Sequence, residues 1–319
     1  MRQWGVRTPP GLPRHALLAL ALLGLGSGLA RAEIPVAPAG TAPGSPPSAA
    51  PRAPAPPPRA WSAAYPSIAA EVRGGAPLTI QVIVPLCNNS QIWCGADYAG
   101  RPGSPQTNLY WGAIFGARTR FDRADSGWVR VALEAHPGPL LERAVYQREV
   151  PGEPWGVTTG ANVEVLVVLE AVHGDHIDEA VEWLYRRSAR GTWVTVPGAE
   201  GPRRARVHAV GYAGHNRVMD GIPFPPRLDP LAPGDAPVPA FVLACSSDRY
   251  FSAALRQVGV EPLITTRTLM APEGYVVEAV VQGLAANEPA ATVRQRVVTT
   301  YARWQRLSLA AASEVFAPP

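Results

Sequence analysis

Two residues that can support nucleophilic chemistry each follow an apolar run in this 319-residue chain. Cys245 ends the run "FVLAC" (241–245), and His215 follows "AVGYAG" (209–214). A thiol is a nucleophile only as the thiolate, and a neighbouring imidazole can accept its proton. The two residue types therefore predict a Cys–His dyad, in which Cys245 attacks a carbonyl carbon and His215 is the general base.

This dyad depends on the elements that position it. The sequence predicts strands over 204–214 and 238–247, and active sites in parallel sheets lie beyond the carboxyl ends of the strands. If the two strands are neighbours, His215 and Cys245 emerge at the same rim. The alternatives are that Cys245 is a buried structural thiol, since free cysteine packs as a small hydrophobe, and that His215 is a hydrogen-bonding loop residue.

Three acidic residues fall near this predicted rim. Asp220 and Asp248 flank the dyad, and each either orients His215 or selects a basic side chain of a substrate; the sequence leaves both roles open. The segment "TTRTLMAPEGY" (265–275) leaves the next predicted strand and is expected to border the same rim. Its Glu273 is predicted in the first turn of the following helix.

The other two cysteines, Cys87 and Cys94, lie in "PLCNNSQIWCG". In an exported protein they are expected to close a small disulfide loop, which leaves Cys245 as the single free thiol. The alternative is that Cys87, which also follows a predicted strand, lines the same cleft.

A histidine pair occurs in "HGDH", where His173 and His176 follow another predicted strand. The pair could hold a metal, or His173 could replace His215 as the base. The favoured interpretation is a strand-to-helix turn in which Asp175 caps the helix, because no clear third ligand is present. We therefore expect no metal and no cofactor.

The charge of the chain argues against several function classes. Every cationic side chain is arginine, and the absence of lysine excludes Schiff-base chemistry and a phosphate-loop lysine. The formal net charge of +4 equals the contribution of the four arginines that precede the first acidic residue: Arg2, Arg7, Arg14 and Arg31. The remaining chain is formally neutral, so no nucleic-acid partner is expected.

The first residues are typical of an export signal. Basic residues precede the apolar run "ALLALALLGLG", and "ARA" at 30–32 is a small-x-small cleavage site. We predict a signal peptide over 1–32, a Pro/Ala-rich tether over 33–60 and a single folded domain over 61–319. The mature protein is expected to be periplasmic or extracellular with no membrane span; the alternative is that the signal stays as an uncleaved anchor.

Strand and helix patterns alternate along the predicted domain. Strands are also expected at 78–86, 127–135, 142–150 (as an edge strand), 162–172 and 261–266, and helices at 108–121, 173–191, 249–259, 271–286 and 289–312. This alternation predicts an α/β fold with a mostly parallel sheet between two helical layers, a three-layer αβα domain.

A strand ending in "GYAGHN" followed by a strand ending in "LACSS" resembles the caspase-like cysteine peptidases, which include caspases, metacaspases, legumains, gingipains and CHAT domains. The resemblance implies the same fold, with His215 as base and Cys245 as nucleophile. It also implies that backbone N–H groups near Gly214 to Asn216 and at Cys245 hold an oxyanion. The chain departs from the family pattern at Asn216, where the family usually has glycine.

The leading hypothesis is therefore an exported caspase-like cysteine peptidase or related thiol acyl-hydrolase that acts on a peptide or protein. The alternative is a catalytically silent caspase-like domain that binds a partner in the cell envelope, and the departure at Asn216 favours it. The sequence does not determine the oligomeric state.

Overall fold

The computed structural model describes residues 59–222, 232 and 234–319. The predicted signal peptide and nearly all of the predicted tether lie outside these residues. The strands of the described part are, in chain order, β1 (Leu78–Pro85), β2 (Val129–Ala135), β3 (Leu140–Pro151), β4 (Asn162–Val172), β5 (Trp193–Val196), β6 (Arg203–Arg206), β7 (Ala209–Ala213), β8 (Ala240–Leu243) and β9 (Pro262–Ile264).

The main sheet has seven strands in the order β2-β3-β4-β1-β7-β8-β9. Within this sheet, β4, β1, β7, β8 and β9 pair in parallel, whereas β3 is antiparallel to both β2 and β4. Strands β5 and β6 form a separate antiparallel pair. The strand order reverses at β1: β4 pairs with one edge of β1, and β7, later in the chain, pairs with its other edge. Such a reversal of strand order opens a crevice at the carboxyl ends, where ligands bind in open α/β sheets.

The helices of the described part are α1 (Pro66–Arg73), α2 (Ala117–Phe121), α3 (Ile177–Arg190), α4 (Ala253–Gln257), α5 (Gly274–Ala285), α6 (Ala290–Gln305) and α7 (Leu309–Val315). Every residue of β1 and of β8 is buried, so helices and loops cover both faces of the sheet. The predicted α/β class and three-layer αβα arrangement are thereby confirmed. No helix in this part of the chain combines the length and apolar character that a membrane crossing requires.

The predicted helix over 108–121 is wrong for most of its length, because only α2 at its end is helical. Asn108 binds outside the segment: its side chain accepts from the backbone N–H of Cys87 and donates to the carbonyls of Cys87 and Arg101. Any Cβ at Gly112 or Gly116 would lie 2.3 Å from a backbone atom, so the chain turns tightly there. These tertiary contacts override the helical spacing of the apolar residues.

Three other boundaries differ from the prediction. The predicted strand over 204–214 is two strands, since β6 pairs with β5 and only β7 joins the main sheet. The edge strand is β2 rather than the strand over 142–150, because β3 lies between β2 and β4. The last predicted helix divides at Arg306, which adopts a left-handed conformation between α6 and α7.

Candidate active site

The carboxyl ends of β7 and β8 lie side by side. The two strands pair in parallel, and the register places Ala213 opposite Leu243. His215 and Cys245 each lie two residues beyond this last pair, and neighbouring strands are about 4.8 Å apart. The expectation that these strands are parallel neighbours is confirmed, so the candidate base and nucleophile leave the sheet at the same rim.

Cys245 is half-buried, and its sulfur faces the backbone that follows β9. The N–H of Met270 donates to Sγ at 3.4 Å, and Sγ lies 3.5 Å from the Met270 carbonyl, to which the thiol donates. Burial raises the pKa of the Cys245 thiol, while the hydrogen bond from Met270 acts in the opposite direction. In this arrangement the thiol is mostly protonated at neutral pH.

His215 is bonded to an acidic neighbour rather than to the thiol. Its Nε2 lies 2.8 Å from Oδ2 of Asp220, and its backbone carbonyl accepts from the Tyr212 hydroxyl at 2.7 Å. Within the described residues, no hydrogen bond joins the His215 ring to Cys245, and Nδ1 has no hydrogen-bond partner. With Asp220 on Nε2, Nδ1 is the nitrogen left to accept a proton.

Asn216, the departure from the family pattern, links the two strand ends. The fully buried Asn216 donates from Nδ2 to the carbonyl of Cys245 at 2.6 Å, and its Oδ1 accepts from the N–H of Met219. The side chain therefore joins the loop of the candidate base to the residue of the candidate nucleophile. A glycine at this position would make neither bond.

Gly214 allows the ends of β1 and β7 to approach closely, because a Cβ here would lie 2.7 Å from the ring of Pro85. Its N–H donates to the carbonyl of Leu243 at 3.1 Å. That N–H is therefore not available to an oxyanion, which leaves the N–H groups of His215, Asn216 and Cys245 as candidates.

The chain bends sharply directly after Cys245. Ser246 has a φ of 51°, a left-handed value that is uncommon for a residue other than glycine, aspartate or asparagine. Hydrogen bonds hold the bend: Ser246 N–H donates to the Thr268 carbonyl, and the hydroxyl of Ser247 donates to the Val242 carbonyl. Strained backbone of this kind clusters at functional sites, and nothing in the sequence pattern indicates it.

Two buried tyrosines lie within electrostatic range of the thiol and of Glu273. Burial raises the pKa of Tyr110 and of Tyr301, and the charges of Cys245 and Glu273 act in the same direction on both. The hydroxyl of Tyr301 accepts from the N–H of Ala271 at 3.1 Å. The loop 265–275 therefore borders the rim as expected, and it brings Glu273 into the same neighbourhood.

The remaining candidate residues bond to groups outside the dyad. Asp248 accepts from the hydroxyls of Ser252 and Thr265, at 2.7 and 3.1 Å, and so holds the turn before α4. Cys87 and Cys94 form a disulfide, with an S–S distance of 2.09 Å. Cys245 is the remaining cysteine of the three in the chain and carries a free thiol.

The two histidines after β4 form hydrogen bonds with residues close to them in sequence. Nδ1 of His173 accepts from the N–H of Asp175 at 3.2 Å, and Nδ1 of His176 lies 2.6 Å from Glu179. In the part of the chain that the structure describes, no three His, Cys, Asp or Glu side chains are grouped as a metal site requires. The predicted cap by Asp175 is wrong, because His173 caps the 3₁₀ turn Gly174–His176 and α3 begins after His176 with no side-chain cap.

Comparisons of the chain with models of known protein families, with curated proteins and with solved structures find no match.

Proposed function

We propose that the rim formed by the carboxyl ends of β7 and β8 is the active site of a caspase-like cysteine peptidase or related thiol acyl-hydrolase. The observation that carries the proposal is the register, which gives His215 and Cys245 the same offset beyond the paired residues Ala213 and Leu243. The contact of His215 with Asp220 adds a carboxylate that orients the ring, so that acid, base and nucleophile follow one another as in acyl-transfer triads.

In the proposed reaction the Cys245 thiol gives its proton to Nδ1 of His215, and Sγ attacks the substrate carbonyl carbon. The tetrahedral intermediate expels the amine, which takes the proton from Nδ1, and a thioester remains on Cys245. Water then gives a proton to Nδ1 and attacks the thioester. The acid leaves, and Sγ recovers the proton. The N–H of Cys245 is the proposed oxyanion donor.

This reaction requires the thiol to turn from Met270 towards His215. In the structure, Sγ binds the backbone of Met270, and the hydrogen bonds involved are long and weak. The proposed reaction requires that rotation about the Cys245 side chain exchange these contacts for one with Nδ1, and catalytic hydrogen bonds commonly tighten only when substrate is present. The proposal therefore predicts that substrate binding lowers the pKa of the thiol.

Labelling with a peptidyl acyloxymethyl ketone under mild reduction tests this function. Because Cys87 and Cys94 are paired, one added mass on the intact protein reports Cys245 alone. We expect one equivalent of label in the parent and none in Cys245→Ala. A folded protein whose Cys245 reacts with iodoacetamide but not with the peptidyl reagent would reject the enzyme.

A second candidate function is a silent domain of the same fold that binds a partner in the cell envelope. The observation that favours it is the state of the thiol, which has a raised pKa and no bond to His215. The two candidates give opposite results in the labelling experiment, since a silent domain has no means to accelerate the peptidyl reagent over iodoacetamide.

A further inference from the structure

Glu273 is a half-buried carboxylate without a positive partner. Its Oε2 accepts from Nε2 of Gln305 at 3.1 Å, and the same Nε2 donates to the hydroxyl of Tyr275 at 2.7 Å. No arginine or histidine pairs with it among the residues that the structure describes. A neutral donor therefore holds this carboxylate.

The acidic side chains that are buried in the described residues form ion pairs. Each carries at least one arginine: Glu142 with Arg118, Glu170 with Arg143 and Arg187, and Glu278 with Arg120. Burying a charge is costly unless it is paired, and each of these three buried carboxylates has its cation. Glu273 and Asp248 are half-buried and lack one among the described residues, and Asp248 is held instead by the hydroxyls of Ser252 and Thr265 in the turn before α4.

Helix capping does not account for Glu273. The residue occupies the N-cap position of α5, where an acidic side chain ordinarily accepts from the first free N–H groups. Its side chain makes no such bond and turns to Gln305 on α6 instead. Helix α5 therefore lacks the stabilisation that a capping carboxylate would supply.

Glu273 belongs to the loop that contacts the candidate nucleophile. Three residues earlier, the N–H of Met270 donates to Cys245 Sγ, and both Glu273 and Cys245 act electrostatically on the hydroxyls of Tyr110 and Tyr301. A group bound by the carboxylate would therefore approach the thiol from the side of the loop that follows β9.

Gln305 links this carboxylate to a group of aromatic rings through the Tyr275 hydroxyl. Tyr275 stacks on Trp304 with ring centroids 5.2 Å apart, and Phe115 meets Trp304 edge-on at 5.8 Å. Trp304 and Phe115 are each 37% exposed. A carboxylate beside partly exposed aromatic faces is the chemistry that binds organic cations, because the ring faces attract positive charge.

We propose that Glu273, with the Tyr275–Trp304 stack, forms a subsite for an alkylammonium or guanidinium group. The subsite deepens the proposed function and rests on it: the preferred substrate carries an arginine or lysine side chain close to the bond that Cys245 attacks. Asp220 is engaged by His215, and Asp248 lies in the turn before α4 with no aromatic group of the described residues linked to it, so we assign the selection of a basic side chain to Glu273.

The test measures binding in the full-length Cys245→Ala protein, so that turnover plays no part. N-acetyl-arginine amide is titrated against N-acetyl-citrulline amide, its uncharged counterpart of nearly equal shape, with tryptophan fluorescence as the readout. We expect the arginine amide to bind about tenfold more tightly. Glu273→Gln should abolish this preference, whereas Glu200→Gln, on an exposed turn, should retain it.

Equal binding of the two amides to the parent would overturn the subsite without recourse to any variant, as would a preference that survives in folded Glu273→Gln. The labelling of Cys245 separates this failure from that of the proposed function. Labelling without a charge preference rejects the subsite alone, and a charge preference without labelling rejects the enzyme while retaining the cation site.

Discussion

The two ends of β7 carry two histidines in contrasting surroundings. His208, before the strand, is almost completely buried; its Nδ1 accepts from the N–H of Thr79 at 3.1 Å, and its Nε2 lies 3.2 Å from Glu71. His215, after the strand, meets the exposed Asp220 through Nε2, and no residue that the structure describes bonds to its Nδ1. Both rings have an acid on Nε2, so they differ at Nδ1, which accepts from the backbone in His208 and is the proposed proton acceptor in His215.

The largest effect should come from His215. Replacing it with alanine removes the proposed base, and general-base catalysis contributes about 10²–10⁴-fold to a rate. We expect His215→Ala to slow labelling of Cys245 by the peptidyl reagent by this factor, measured by intact mass over time. The rate with iodoacetamide should change little. An equal loss with both reagents would indicate general disruption of the site.

Replacing His208 should lower the free energy of unfolding more than replacing His215. His208→Ala leaves the buried Thr79 N–H without its acceptor and opens a cavity, at a cost of about 2–4 kcal/mol in the free energy of unfolding. His215→Ala should cost about 1 kcal/mol or less. Urea unfolding of the two variants measures the difference. Equal losses would contradict the division of roles between the two ends of β7.

The pH dependence of stability should follow His208. Burial lowers the pKa of its imidazole, so the unfolded chain binds a proton as the pH falls through about 6.5 while the folded chain resists it. The unfolded state then holds more protons, and stability declines below that pH, by about 1 kcal/mol for each pH unit within the window between the two pKa values. His208→Gln should flatten this decline in urea titrations from pH 7.5 to 5, and a parallel curve would contradict the assignment.

Asp220 should give the smallest effect. Its pair with His215 is partly exposed, so Asp220→Asn should change the free energy of unfolding by less than about 1 kcal/mol. The substitution should affect labelling more than stability, because the ring of His215 loses the carboxylate that orients it. We expect the rate of peptidyl labelling to decrease by about threefold to tenfold. A variant that labels at the parent rate would show that Asp220 has no orienting role.

Local patterns predicted the scaffold well. The long apolar run of β4 and the amphipathic spacing of α3, with acidic residues first and basic residues last, follow from residues close in sequence. Residues 108–116 were predicted wrongly, since Asn108 bonds to the distant backbone of Cys87 and Gly112 and Gly116 allow tight turns against nearby backbone. Helical spacing cannot register such tertiary contacts.

The site was predicted only in part, for a related reason. The residue types indicated His215 and Cys245, but the register of β7 against β8 depends on pairing across a long connection. The strain at Ser246 and the position of Glu273 depend on hydrogen bonds between the turn after β8 and the loop after β9, such as that from Ser246 to Thr268. No short sequence window contains both partners of such a bond.

The most direct measurement is the pH dependence of Cys245 inactivation by the peptidyl reagent, compared with that by iodoacetamide. Burial raises the pKa of the thiol in the structure, so iodoacetamide should report an inflection above the ordinary cysteine range. We expect the peptidyl reagent, which in the proposed mechanism brings Sγ and Nδ1 of His215 together, to report an inflection below that range. The same high inflection with both reagents would contradict the proposed dyad.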